Sequence, residues 1–339
     1  MERKKYAFSR QTTTYYFDAP FTQLAKLADP AHTVLVTDEH LFAKHKKKFS
    51  DWKTIVIPPG EAFKIQSTVD TIIAQLIAYQ ADRQSLVVGI GGGVITDLAG
   101  YAASVYMRGI RFGFAPTSML AMVDASIGGK NGIDVGIYKN LVGAINQPEF
   151  LLFDPSFLKT LPEEEWVNGF AEIIKHACIK DARMFKELQQ NSLKFYRKNA
   201  EATMKLIKKN ATIKSNVVQA DEFERGERKL LNFGHTWAHA IENNHKLSHG
   251  HAVSIGMVVA CRLSEKLTGF KHAGKVADML GRYGLPAYGN YDKKEIFEVL
   301  KMDKKRDKGV MNYVLLNDIG KAIVQPIALD KLEKLIYSL

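Results

Sequence analysis

Half of the chain's ten histidines fall in one short stretch, NFGHTWAHAIENNHKLSHGHAV, from Asn232 to Val253. They are His235, His239, His245, His249 and His251. Neutral imidazole suits zinc and other borderline divalent metals. His235 and His239 stand four apart, so on a helix they share one face. The protease form HExxH needs Glu where this chain has Thr236, which excludes that class. A third ligand must therefore come from elsewhere. Glu172, in GFAEIIKHA, is a candidate and lies one helical turn from Lys175. The competing reading is a polar helix and loop rich in histidine for no chemical reason.

A second kind of chemistry is written in VVGIGGGVITDLAGYAASVYMRG, where glycines 89, 91, 92 and 93 fall between a strand pattern and a helix pattern. Glycines there let backbone N–H groups approach a phosphate at the positive end of a helix. The pattern is not the strict GxGxxG form, and no GK[ST] ending is present, which argues against a P-loop. The alternative is a tight turn that needs glycine for positive φ. PTSMLAMVDASIGGKNGIDVGIYKNLVGAINQP follows, too glycine-rich for a plain helix and too apolar for a linker. It carries Asp124, Lys130, Lys139 and Asn140, and lysines held by glycine turns suit an anionic ligand. Arg228 lies seven residues before His235.

Elements must hold these groups in place. The first 150 or so residues alternate strand and helix signals: TVLVT (33–37), TIVIP (54–58), a helix over 67–83 capped at Ser67 or Thr68, SLVVGI (85–90), and a last strand in 149–158 with a break at Pro155. That alternation predicts a Rossmann-like α/β domain with a parallel sheet. From Leu161 long helical periodicities take over, predicting an all-helical second domain. The expected division is 1–155 and 156–339, with a site in the cleft between the halves.

Composition narrows the function classes. The chain is 46% hydrophobic and 24% charged, as ordinary globular proteins are. Two cysteines, Cys178 and Cys261, give no disulfide framework and no CxxC knuckle, so a reducing cytoplasm is expected. MERKKYAF leads into no apolar h-region, and no apolar run reaches a membrane span. The net charge of +11 comes with no nucleic-acid motif. It is read as steering a small anionic substrate, and the Lys44–Lys48 run as a solvated face.

The ordered series GExxK at 60–64, GGGVITDLAG, YMRG, PTS, VDASIGGK, YKN, GFAEIIK, RKLLNFGHT and HGHAVSIGM resembles the 3-dehydroquinate synthases. The likeness is dense from Gly60 to Thr160, resumes at Gly169–Lys175 and Arg225–Met257, and is weaker in MDKKRDKG at 302–309. The resemblance implies an NAD-binding α/β domain, a helical metal-binding domain and a homodimer. It implies zinc, with cobalt as an alternative ion, on Glu172, His235 and His249, and for His239 a role supporting the metal ligands or relaying protons. His245 matches nothing. It implies NAD against Asp38, Glu61, Lys64, Gly92, Gly93, Val94, Ile95, Thr96, Asp97, Thr117, Ser118, Lys130, Lys139 and Thr160. The substrate, a phosphorylated sugar acid, falls to Arg108, Asp124, Lys130, Asn140, Lys175, Lys214, Arg228, Asn232 and one of Lys304 or Lys305. The implied reaction is transient oxidation by NAD, β-elimination of phosphate, re-reduction and aldol closure.

Four positions depart from the family pattern. Thr96 and Ala238 stand where glycine is usual, Asn131 where threonine is common, and His251 at the usual Glu of an HGE motif. His249 heads the HGxAV motif and is preferred as ligand over His251. Three rival functions follow: another sugar phosphate cyclase, such as an aminodehydroquinate or valiolone-type synthase; a metal-dependent polyol dehydrogenase of the same superfamily; and a non-catalytic anion- or nucleic-acid-binding protein.

Overall fold

The structure, a computed structural model, describes all residues except 137, 246 and 305–308, with only the backbone given for 243–245 and 302–304. The chain divides into two compact units, Met1–Glu165 with Ala200–Glu222, and Trp166–Asn199 with Phe223–Leu339.

The first unit is built on seven strands. They are β1 (Glu2–Ala7), β2 (Thr12–Phe17), β3 (Thr33–Asp38), β4 (Lys53–Ile57), β5 (Leu86–Gly91), β6 (Arg111–Pro116) and, after a separate hairpin of β7 (Lys130–Val135) and β8 (Tyr138–Ile145), β9 (Phe150–Phe153). The sheet order is β1-β2-β9-β6-β5-β3-β4. Every pairing in it is parallel except β1 with β2. All six residues of β5 are buried, as expected of a parallel strand covered on both faces. One face packs Leu35, Leu86, Val88, Ile90 and Leu152 against Phe21, Leu24, Phe49 and Phe157. The parallel strands end along one edge. Asp38, Gly60–Glu61, Gly91–Gly93, Thr117–Ser118 and Asp154 all follow strand ends there, although the sequence scatters them. In such sheets ligands bind outside these carboxyl ends, where the strand order reverses. The reversal lies beside β5.

The helix Ala200–Ala220 belongs to this unit although it follows the Trp166–Asn199 segment of the other. Its Ser215 hydroxyl donates to the Tyr15 hydroxyl at 2.9 Å, its Gln219 amide donates to the Ala7 carbonyl at 2.9 Å, and Tyr6 donates to Thr212 at 3.2 Å. A single division near residue 155 therefore does not describe this part of the chain.

The second unit is helical, with one addition to the expected all-helical pattern: an antiparallel hairpin of β10 (Val310–Asp318) and β11 (Lys321–Ala328). Its central helix, Glu163–Lys180, is buried without interruption from Trp166 to Ile179. The helices His235–His245 and His249–Leu267 follow. No described helix is long and apolar enough to cross a membrane.

Two local expectations are corrected. The helix read over 67–83 spans Gln66–Ala78, its N-cap is Ile65 with no side-chain bond, and Gln80 beyond it turns left-handed at φ 57°. The last strand stops at Phe153, two residues before the break expected at Pro155, because Asp154 caps the next segment through the Ser156 amide.

Candidate active site

In the second unit three ligand-type atoms converge. Glu172 is fully buried on the central helix. His235 opens one helix and His249 the next. The Glu172 Oε1 lies 3.3 Å from His249 Nε2 and 3.6 Å from His235 Nε2, and the donor atoms of all three lie within 4.8 Å of one another. Ligands about 2.0–2.1 Å from a tetrahedral ion stand roughly 3.3–3.4 Å apart. The donor set and spacing fit zinc or a similar divalent metal.

Glycines make this convergence possible. A Cβ on Gly250 would meet the Asn168 Cα at 2.7 Å, so glycine lets the His249 helix touch the central helix one turn before Glu172. A Cβ on Gly256 would meet the Gly234 carbonyl oxygen at 2.0 Å. Gly234 itself has φ 83° and immediately precedes His235.

The second nitrogens are also supplied. His235 Nδ1 lies 3.3 Å from the Phe233 carbonyl, and His249 Nδ1 faces the Glu242 carboxylate at 3.6 Å. Such partners fix which ring nitrogen is free for a metal. Glu242 escaped the sequence reading. Its signal was its spacing, seven residues after His235 and three after His239 on one helix face.

Charges follow from this packing. Burial and the nearby Lys175 ammonium hold His235 well below the usual histidine range, so it is neutral. Burial would lower His249 too, but the Glu172 and Glu242 carboxylates override it and push it up to about 10. The Lys175 ammonium pairs with Glu172 Oε2. His239 is exposed, with its ring 5.7 Å from that of His235. His251 is absent from the groups of close ligand atoms among the described residues. Arg228 is buried, and Asn232 donates to Glu224 at 2.6 Å. The side chains of His245 and Lys304, and Lys305 altogether, lie outside what the structure describes.

In the first unit a cradle forms at the carboxyl edge. The Lys64 ammonium pairs with Asp97 at 2.6 Å and donates to Asn140 Oδ1 at 2.5 Å. Lys139 pairs with Glu61 at 3.0 Å and Asp134 at 3.3 Å. Burial works to lower Lys64, yet Asp97 and Glu61 hold it above the ordinary lysine range. Burial pushes the Asp97 carboxyl up, and Lys64 opposes that. Beside this cradle, Lys214 pairs with Asp124 at 2.9 Å; Asp124 sits on a π-helical turn, Ala121–Ala125. Lys130 is exposed at the start of β7.

The glycine turn does not need positive φ. None of glycines 89, 91, 92 and 93 has one. Space is the reason at Gly89 and Gly91, where a Cβ would lie 2.9 Å from the Ala99 Cβ and 2.5 Å from the Ile95 Cβ. At Gly92 the Ser118 hydroxyl would be 3.4 Å away, and the Thr117 amide donates to the Gly91 carbonyl at 2.9 Å. Thr96 closes the first helical turn by donating its hydroxyl to the Gly93 carbonyl at 3.0 Å. Val94 and Ile95 lie in that same turn, Ile95 buried. Asn131 ties the Gly129 and Asn146 carbonyls, each at 2.9 Å.

Three predicted residues take no part in the hydrogen bonds and ion pairs described for these clusters. Asp38 caps the helix Glu39–Phe49 through the Leu41 amide. Thr160 meets the His45 ring at 2.9 Å. Arg108 is exposed in a turn where Met107 and Arg108 have φ of 48° and 67°.

Comparison with known proteins adds the following. The family model for the 3-dehydroquinate synthase N-terminal region matches residues 54–168, and that for the C-terminal region matches 169–306. A 3-dehydroquinate synthase of Campylobacter curvus is 37% identical over 96% of this chain and 94% of its own length. Two solved structures share the fold at TM-score 0.86. One is a 2-deoxy-scyllo-inosose synthase complexed with carbaglucose-6-phosphate, NAD+ and Co2+, 23% identical over 99% of this chain and 100% of its own. The other is a 2-epi-5-epi-valiolone synthase from Streptomyces hygroscopicus with NAD+ and Zn2+ bound, 24% identical over 100% of this chain and 98% of its own. At these identities the structural likeness is one of fold.

Proposed function

The chain belongs to the 3-dehydroquinate synthase family, and from that premise we propose that it converts 3-deoxy-D-arabino-heptulosonate 7-phosphate to 3-dehydroquinate and phosphate, using NAD and a divalent metal. The observation that carries the metal-dependent reading is the convergence of Glu172, His235 and His249, whose donor atoms lie within 4.8 Å of one another. Two cyclases of the same fold that hold NAD with cobalt or zinc support it. When bound, NAD takes and returns a hydride, and the metal polarises a substrate hydroxyl.

The chain's own residues supply binding and orientation. Gly92 and Gly93 leave the first turn of the helix Gly93–Val105 open to a pyrophosphate, with Val94, Ile95 and Thr96 forming that turn. Glu61, Lys64, Asp97 and Lys139 form a charged cradle beside it, and Thr117 and Ser118 line the turn. Asp38 and Thr160 complete the dinucleotide contacts. The residues proposed for the substrate are Asp124, Lys130, Asn140, Lys175, Lys214, Arg228 and Asn232. The planar guanidinium of Arg228 suits a carboxylate or phosphate. Arg108 serves the same substrate, and His239 passes protons at the site's exposed side. The working form is a cytoplasmic homodimer.

The test is phosphate release from the heptulosonate phosphate, measured with and without a chelator. Turnover that stops on chelation and returns with zinc is expected. Turnover indifferent to chelation contradicts the metal-dependent reading.

A further inference from the structure

Asp134, at the end of β7, has no role in the reading above, yet it touches three residues that do. Its Oδ1 accepts the Asn140 backbone N–H at 2.7 Å. Its Oδ2 faces the Lys139 ammonium at 3.3 Å. Its own N–H donates to the Lys64 carbonyl at 2.8 Å.

Asn140 has φ 51°, in the left-handed region that asparagine adopts more readily than other residues with a Cβ, and the Asp134 carboxylate fixes its backbone N–H there. That backbone aims its side-chain oxygen at the Lys64 ammonium, 2.5 Å away, and Lys64 in turn pairs with Asp97. The Lys139 ammonium lies between two carboxylates, Asp134 and Glu61. Loss of the Asp134 carboxylate would remove the acceptor that fixes Asn140 and one of the two anions that fix Lys139.

We propose that Asp134 is a positioning residue. It holds Asn140 in its left-handed conformation and Lys139 in the cradle, so that both present fixed side chains to the dinucleotide and the phosphorylated substrate. This rests on the reading in which Lys139 and Asn140 touch those ligands. The test uses Asp134→Ala and Asp134→Asn, with Lys139→Met and Asn140→Ala as controls. Calorimetry gives NAD affinity, and phosphate release gives KM and kcat. Asp134→Ala is expected to weaken NAD binding or raise KM by about tenfold to a hundredfold, the scale of one hydrogen bond to a charged group. Asp134→Asn keeps an oxygen for the Asn140 amide and is expected to recover most of that loss. An Asn variant as impaired as the Ala variant overturns the hold on Asn140. Normal binding in Asp134→Ala, with both controls impaired, overturns the positioning role and leaves the functional reading standing. Normal binding in both controls overturns the reading of the cradle itself. Should Asp134→Ala not fold, hydrogen exchange on the unsubstituted protein decides: a protected Asn140 amide is expected, and a rapidly exchanging one overturns the proposal.

Discussion

Gly256→Ala alters no ligand, yet the structure predicts that it breaks the metal site. The added Cβ would sit 2.0 Å from the Gly234 carbonyl oxygen, 2.9 Å from its carbon and 3.2 Å from the Ala238 nitrogen. All three are backbone atoms and cannot swing aside. An ordinary carbon–oxygen contact is about 3.3–3.6 Å, so the two helices must part by more than about 1 Å. One helix begins with His235 and the other with His249. Metal sites tolerate departures of roughly 0.2 Å in ligand distance. The expected loss of zinc affinity is therefore at least the roughly tenfold to hundredfold seen when an outer-shell partner is removed. Overpacking should also cost about 1–3 kcal/mol of stability. Competition against a chromophoric chelator gives the affinity, and thermal melting of the metal-free protein gives the stability. Gly274→Ala is the control, since nothing lies within 4 Å of a Cβ there. Unchanged zinc affinity in Gly256→Ala would refute the claim that close helix approach sets the ligand geometry.

Three further outcomes are expected. His235→Ala and His249→Ala should each lose bound zinc by elemental analysis while His251→Ala keeps it; the reverse for 249 and 251 would reassign the ligand. In the metal-free protein His249 is held up to about 10, so its proton stabilises that form below about pH 6.5 and the benefit fades as pH rises toward 10. Metal must displace this proton, so zinc affinity should rise about tenfold per pH unit between pH 6.5 and 9, and a flat profile contradicts the charge assignment. Lys64→Met should cost about 3–5 kcal/mol by stranding the Asp97 carboxylate, and denaturant titration should show the deficit growing from pH 4 to 7, because protonation of an already raised Asp97 relieves it at low pH; a pH-independent deficit would contradict the pairing.

The strands β3 and β5 are legible because parallel strands buried on both faces read as unbroken apolar runs, and β4, half-buried at the sheet's edge, because of its β-branched TIVI. β1 and β2 are not, since KKYAF and TTTYYF mix charge, hydroxyl and aromatic residues at the sheet's antiparallel margin. Missing them hides the destination of the helix Ala200–Ala220, whose Thr212, Ser215 and Gln219 bond to those strands. The hairpin β10–β11 has six of the nine residues of its first strand apolar but lies between helices, so its pattern is overshadowed. The glycines were legible as punctuation, but not their reason. Gly91 is small for Ile95, and Gly100 for Asn131, whose Oδ1 would lie 2.0 Å from a Cβ, and a partner distant in sequence leaves no local trace. His235 and His249 stood out by type. Glu172 did not, because a carboxylate on a helix usually faces water and only the fold buries this one. Asp134 and Glu242 act through the residues they hold, and only Glu242, by its helical spacing from His235 and His239, leaves a trace in the sequence.

The central claim is that one substrate molecule is oxidised and re-reduced in place. It is tested most directly by following phosphate release and NADH absorbance together, with NAD far below the substrate concentration. The account predicts phosphate equal to the substrate consumed, many turnovers per NAD, and no accumulating NADH. NADH rising in step with substrate loss would contradict it and indicate a polyol dehydrogenase.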